Sequence, residues 1–322
     1  MIIYPIKFTP ILKEKIWGGN KLNKILGKVS DKSGVGESWE ISDVEENISV
    51  VSNGSYQGQD LKELIKNHKA AILGSNNFKN FGCNFPLLIK FLDARTDLSV
   101  QVHPDNDMAK RYHDSFGKTE MWYIMDSDTN ADIVLGLKNK NINPDILDDI
   151  NADNVKTVFN RETVKNGDSF FIPAGKIHAI GAGVLAAEIQ QTSDITYRVY
   201  DWDRKDDKGN KRDLHLDLAK KSIKPFYSNE RASYKLRSNE KANLVKCDYF
   251  TTNILDISEN QVVDYSALDS FVIFMCVEGE LNITLNNGSE ILKKGETALI
   301  PALTNKVHLD SVNAKVLEIY ID

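Results

Sequence analysis

The chain has 322 residues with ordinary hydrophobic and charged content, 41% and 27%. That is enough to bury one large core or two ordinary ones, and it argues against disorder. A formal net charge of −6 disfavours a nucleic-acid partner, and an anionic ligand would need local positive charge against the global field. The three cysteines, Cys83, Cys247 and Cys276, have no CxxC spacing and read as reduced thiols. Met1–Pro5 carries no charged-then-apolar leader and no long apolar span follows, so the expectation is a cytoplasmic protein without membrane association. The oligomeric state is left open.

In chain order, Ser49–Val51 reads as a short strand and Leu61–Lys66 as a helix. Leu87–Leu92 reads as a strand, Asn106–Ser115 as a helix, and Trp122–Met125 and Ser169–Ile172 as further strands. The charged run Asp203–Asp213 reads as a solvated loop and a candidate boundary, followed by a helix over Leu216–Ile223. A second boundary falls in the polar stretch 226–242. Short β-rich runs punctuated by Gly, Asn and Asp favour a sandwich or barrel.

An internal repeat crosses that boundary. Val164–Ala174 (VKNGDSFFIPA) aligns with Leu292–Ala302 (LKKGETALIPA), and Val184–Ile189 echoes Val316–Ile319. In each, Gly-Asp or Gly-Glu turns the chain into an apolar strand, and Pro ends it where a missing N–H costs nothing. Two related β-units follow: 1–225 with N-terminal strands and helical insertions, and 226–322. The spacing of Gly167, Pro173, Gly175 and His178 resembles the second cupin motif, although Ala182 stands where an Asn is usual. The second copy keeps Gly295 and Pro301 but has Leu303 in place of the second Gly, a displaced His308 and nothing like the Gln101/His103 pair. The expected fold is mainly β, two cupin (jelly-roll) units with a few short helices, the second without metal.

Gln101 and His103 sit two residues apart, which on a strand puts both on one face. With Glu120 and His178 they make a plausible metal site. Two neutral imidazoles, an amide oxygen and a carboxylate leave a divalent ion a net charge of about +1, so it stays a good Lewis acid. Mixed N/O ligation suits Zn²⁺, with Mn²⁺, Fe²⁺ and Co²⁺ as alternatives.

The segments Trp17–Gly19, Gly36–Ser42, Pro86–Ala94, Leu98–Asp105, Gly117–Trp122, Ile172–Ile180 and Glu188–Trp202 resemble the type I zinc-dependent mannose-6-phosphate isomerases of the short bacterial kind. The resemblance is close over about two-thirds of the chain. It implies interconversion of mannose 6-phosphate and fructose 6-phosphate, one zinc per chain on Gln101, His103, Glu120 and His178, and an active-site arginine at Arg198. Lys118 joins Arg198 as a catalytic candidate, and Ser99 and Lys90 become substrate-binding candidates.

Aldose–ketose isomerisation through an enediol needs an electrophile for the developing oxyanion, a base and a phosphate clamp. Glu188, Lys118 and a metal-bound water all qualify as base by type, with Glu188 read more readily as structural because Glu318 matches it in the second copy. Arg198 reads as functional or as an ion-pair partner of Asp194 or Asp201. Lys90 reads as a pocket residue or as a snorkelling stem, and Trp39 as core packing. Two rivals stand beside the isomerase: a non-catalytic sugar-phosphate-binding bicupin, favoured if Lys118 or Glu120 turns away from the pocket, and a cupin oxygenase using redox-active iron.

Overall fold

A computed structural model describes residues 2–139, 143–206, 208–224 and 231–322. The boundary expected at 225–226 therefore lies outside the described residues, as does Asp207 in the charged run.

Two antiparallel sheets form the first unit. One places its strands in the order Ser169–Ile172, Glu120–Ser127, Val184–Gln191, Leu87–Ala94, Ile11–Gly19, Val35–Ile41. The other runs Phe159–Thr163, Asp132–Leu137, His178–Ile180, Val100–Val102, Tyr197–Tyr200. Between them lies a core to which the first sheet contributes Leu92, Trp122, Phe170 and Ala186, and the second Ile133, Leu135 and Ile180. Strand alternation sends Met121, Tyr123 and Met125 to the opposite face. There they pack with Ile273, Met275, Leu317 and Ile319 of the C-terminal sheet. Burial on both faces explains why Leu87–Ala94 and Val184–Gln191 read as continuous apolar runs instead of alternating ones.

The second unit repeats the plan. Ala314–Tyr320 lies between Thr251–Ile257 and Val272–Leu285, as Val184–Gln191 lies between Leu87–Ala94 and Glu120–Ser127. Gly167 and Gly295 both enter their strands in left-handed conformations, at φ +89° and +87°. The second unit's interior is filled by Phe274, Leu281, Ile283, Leu292 and Val316, and His308 points outward to solvent.

The helices expected near residues 61, 106 and 216 are present as Leu61–His68, Asn106–His113 and Leu216–Ser222. Asp60 and Asp105 cap the first two, accepting from the backbone of Glu63 and Met108. Ser49–Val51 is not a strand: Val50 and Val51 make single bridges to Asp60 and Phe8 before the chain turns. Helices Lys21–Leu26, Ala70–Leu73 and Ser75–Phe81 were not expected, being too short and too polar to show a helical period.

The units are also tied across the sequence. Residues before 100 add three strands to the first sheet, but Ile6–Lys7 pairs instead with Thr297–Ile300 of the second unit. Ala302 and Leu303 donate backbone hydrogen bonds to Ile72 and Ala71, and Asp269 accepts from the backbone N–H groups of Ser75 and Asn76 at 2.7 and 3.0 Å. Gly74, at φ +90°, is pressed so close to Asp269 that an added Cβ would lie 2.2 Å from its carbonyl oxygen. Gly74→Ala should therefore lower unfolding stability by roughly 2–4 kcal/mol, and Asp269→Ala by about 1 kcal/mol through the lost cap. Urea unfolding checks both; an unchanged midpoint in Gly74→Ala would remove this contact from the stability of the fold.

Candidate active site

Two sheets have to meet to build the site. Gln101 and His178 are directly paired on neighbouring strands of the five-stranded sheet, and Gln101 is paired on its other side with Arg198. Glu120 opens a strand of the six-stranded sheet, facing inward with Trp122. His103 follows Val100–Val102, and Gly175 secures that turn. Its N–H donates to the His103 carbonyl at 2.9 Å, and its φ of +89° together with a Cβ clash 2.7 Å from the Ser222 carbonyl oxygen demands glycine.

His103, Glu120 and His178 converge in full burial. The two Nε2 atoms are 3.1 Å apart. Glu120 Oε2 lies 3.4 Å from His103 Nε2 and Oε1 lies 3.3 Å from His178 Nε2. The two imidazole–carboxylate distances, each to a different Glu120 oxygen, fall at the edges of a tetrahedron with arms of about 2.0–2.2 Å, roughly 3.3–3.6 Å, and the Nε2 pair is slightly closer. Nδ1 of His103 is 3.0 Å from the Ile195 carbonyl and Nδ1 of His178 is 2.8 Å from the Lys176 carbonyl. A proton on each Nδ1 leaves a lone pair on each Nε2, the tautomer a metal ligand needs.

Burial, with Lys118 nearby, depresses the basicity of both rings, that of His103 to about 3. Both are therefore neutral at pH 7. Gln101 joins them with its amide nitrogen 3.3 Å from His178 Nε2, and half a turn of the amide would present its oxygen instead. Neither Glu120 oxygen receives a well-directed hydrogen bond although both are buried. A buried, under-satisfied carboxylate facing two imidazole lone pairs is a donor set that fits a divalent cation.

Lys118 borders the cluster, its ammonium 2.9 Å from both Glu120 Oε2 and His103 Nε2. Burial opposes its charge, but Glu120 and Glu188 overcome that and raise its pKa. Burial likewise opposes ionisation of Glu120, and Lys118 with the two histidine dipoles holds it well below the usual range. Lys118 precedes the strand that starts at Glu120, so its approach to that ligand comes from the turn before the strand.

A cavity of about 270 Å³ opens above the cluster, at the small end of ligand sites. Ser99, Lys90, Lys118, Gln101 and Arg198 all line it. Lys90 does not snorkel: it is buried, with its ammonium 3.2 Å from Glu188 and 5.0 Å from the Trp39 ring. Ser99 donates weakly to Gln101 Oε1 at 3.3 Å. Glu188 also lines the cavity instead of serving packing alone, accepting from the Trp122 indole at 3.0 Å. Burial and the charge of Glu120 push its pKa up.

Trp39 is a cavity wall as well as a core residue, its indole donating to Glu37 at 2.6 Å. Sequence reasoning missed Lys15, Glu37 and Arg212. The i, i+2 spacing of Glu37 and Trp39 on one strand could have found the first of the two wall residues on Val35–Ile41; Arg212 sits in an irregular loop with no periodic signal.

The cations of this cavity differ in one respect. Lys15 pairs with Glu37 at 3.1 Å, Lys90 with Glu188, Lys118 with Glu120, and Arg212 with Asp201 at 2.5 Å. Arg198 has no carboxylate partner among the described residues. Asp201 is taken by Arg204 and Arg212, and Arg198 Nη1 donates only to the Asp213 carbonyl at 2.7 Å while its buried Nε donates to nothing. Nor do the neighbouring aromatics surround it, because Tyr197 and Tyr200 pack into the apolar cluster with Val100, Val102 and Val199.

Fold and site define a two-cupin protein whose first unit alone, among the described residues, gathers a buried His/Glu/His set. The family model of the type I phosphomannose isomerase catalytic domain matches residues 6–146, and that of the mannose-6-phosphate isomerase cupin domain matches residues 240–321. The chain belongs to the type I phosphomannose isomerase family. It is 37% identical to the mannose-6-phosphate isomerase of Streptococcus mutans over 300 residues, 92% of each chain. It is 36% identical to mannose-6-phosphate isomerase ManA of Bacillus subtilis over 305 residues, 94% of each.

The crystal structure of a mannose 6-phosphate isomerase from Bacillus subtilis superposes with a TM-score of 0.86 at 33% identity, covering 99% of each chain. Lys118 and Glu120 both turn toward the site, which removes the condition that favoured a non-catalytic binding protein. No helix among the described residues is long and apolar enough to cross a membrane.

Glu37 gives the site a pH signature. Burial raises its pKa, but Lys90, Lys15 and the Trp39 indole outweigh that and bring it down to about 2. A carboxylate depressed on folding contributes stability that is full above about pH 4.5 and is lost as pH falls toward 2. The stability difference between the native protein and Glu37→Gln should therefore shrink over that window, by about 3 kcal/mol at most. Urea unfolding at pH 6, 4 and 2.5 measures it, and a difference constant with pH would contradict the assignment.

Proposed function

We propose that the chain interconverts mannose 6-phosphate and fructose 6-phosphate, using one zinc ion held by Gln101, His103, Glu120 and His178. The observation that carries this reading is the buried donor set at tetrahedral spacing, beneath a cavity whose Arg198 lacks a carboxylate. A zinc ion bound there would supply Lewis-acid polarisation of the sugar's C1 and C2 oxygens.

The chain's own residues would do the rest. Arg198 takes the phosphate, whose two negative charges replace the missing acid partner. That sets the sugar with its phosphate toward the strand Tyr197–Tyr200 and its reacting carbons toward Lys118. The protonated Lys118 ammonium, aimed at the cluster, donates a hydrogen bond to the oxygen on which enediol charge develops. Proton transfer between C1 and C2 requires a base with a pKa near neutrality. Glu188, raised by burial and by Glu120, supports that role better than Lys118, whose charge its neighbours reinforce. Lys90 holds Glu188 and can reach the sugar hydroxyls, and Ser99 fixes the Gln101 amide. Trp17 and Trp39 wall the cavity against water.

On this reading residues 1–225 form the catalytic unit and 226–322 a metal-free partner that supports its sheet. A hexose phosphate is the only partner proposed, and the cytoplasm is the compartment where it would be met.

Chelation should lower turnover of mannose 6-phosphate at least about a hundredfold, with activity restored by one equivalent of zinc per chain, measured by metal analysis alongside a coupled assay. Full activity in metal-free protein would refute the assignment. Arg198→Ala should cut kcat/KM by about a hundredfold, roughly 3 kcal/mol, with the thermal midpoint little changed; an unaltered kcat/KM would take Arg198 out of the site.

A further inference from the structure

We infer that Arg212 is a second phosphate-binding residue, delivered to the cavity beside Arg198 by the loop 201–213 and aimed there by Asp201. The inference rests on the sugar-phosphate reading above and adds the residue that makes the anion subsite divalent.

The charged run Asp203–Asp213 is a solvated loop, as expected, with only Arg204 and Arg212 partly covered among its described residues, but it is stitched down at both ends. After the strand Tyr197–Tyr200 the chain reverses through Trp202 and Asp203, at φ +58° and +54°, a conformation non-glycine residues seldom adopt. Trp202 donates its indole N–H to the Leu98 carbonyl at 2.7 Å, and Asp203 accepts from Tyr200 and Lys211 at 2.9 and 2.6 Å. Arg204 donates to the Asp97 carbonyl at 2.6 Å. The chain then returns alongside its own strand, where the His215 N–H donates to the Arg198 carbonyl at 2.8 Å and His215 Nδ1 accepts from the Arg198 N–H at 3.1 Å. This return lays Asp213 against the Arg198 guanidinium and sets Arg212 in the cavity wall.

Asp201, almost fully buried, grips Arg212 through Nε at 2.7 Å and Nη2 at 2.5 Å, and Arg204 closes on the same carboxylate from the other side. A two-point grip on a planar guanidinium fixes its direction as well as its position. Nη1 of Arg212 makes no hydrogen bond among the described residues and is left for a ligand. The charges also fit. The lining sets Lys15, Lys90, Lys118, Arg198 and Arg212 against Glu37, Glu188 and Asp194, an excess of positive charge that suits a sugar phosphate, which carries close to two negative charges at pH 7. Burial first and then the nearby Arg212 disfavour the charge on Arg198, a cost that an anion between them would relieve.

Steady-state kinetics on the zinc-loaded protein provides the test, with inorganic phosphate as competing ligand. Arg212→Ala should raise both KM for mannose 6-phosphate and Ki for phosphate about tenfold or more, while kcat changes less than about threefold. Arg212→Lys should recover part of the phosphate affinity, because the charge returns without the fork. Wild-type KM and Ki in Arg212→Ala would overturn the inference, and so would a loss matched by a fallen thermal midpoint, which marks a structural role. If the native protein turns over no mannose 6-phosphate, the isomerase reading fails. Calorimetric phosphate binding to the native and Arg212→Ala proteins still decides the role of Arg212 in that case.

Discussion

Everything in the first barrel is arranged around the cost of keeping the Glu120 carboxylate ionised away from water. An isolated buried charge would cost several kcal/mol or else take up a proton. Here Lys118 lies 2.9 Å away and supplies the opposing charge, while the two imidazoles face the carboxylate with lone pairs that a shared cation would reconcile with it. The arrangement holds only if the two sheets close, because Glu120 belongs to one and Gln101 and His178 to the other. Closure in turn demands the apolar packing of Trp122, Phe170, Ile133 and Leu135 between them. The core that stabilises the sandwich is thus also what sets donor atoms a little over 3 Å apart.

A second consequence of burial is the alternation of charge along the cavity. Glu37, Lys90, Glu188, Lys118 and Glu120 form a row in which each acid has a basic neighbour. Such a row costs less to bury than unpaired charges and holds Glu37 low and Glu188 high, a separation that acid–base chemistry exploits. Departure from the row is therefore informative. Arg198 stands outside it, and the charge missing from its side is the charge a phosphate ester brings.

Much of this was legible in the residues. The repeat between Val164–Ala174 and Leu292–Ala302 announced two related units, because a left-handed Gly followed by an apolar strand and Pro leaves a local mark that folding preserves. Of the four metal-type side chains, Gln101 and His103 were legible from their strand-like spacing, and Glu120 and His178 from the family-like segments that carry them. What escaped notice was whatever depends on distant segments meeting. Lys90 reads as a pocket residue but equally as a snorkelling stem, because nothing nearby in sequence shows Glu188 waiting opposite, and Trp39 reads as packing because the cavity it walls is closed by residues from 90 to 212. The loop 203–213 is solvated as its composition suggests, but charge-rich composition does not distinguish the arginines left in water from Arg204 and Arg212, which grip Asp201.

The pairing of Ile6–Lys7 with Thr297–Ile300 bears on how the molecule is made. Its two halves lie almost three hundred residues apart in the chain, so the edge at Thr297–Ile300 is bare until a distant segment reaches it. An exposed strand edge invites pairing with the wrong neighbour, and contacts this far apart in sequence form slowly. The docking of Ile6–Lys7 onto that sheet should therefore come late in folding, a latch between the two barrels that neither could fasten by itself.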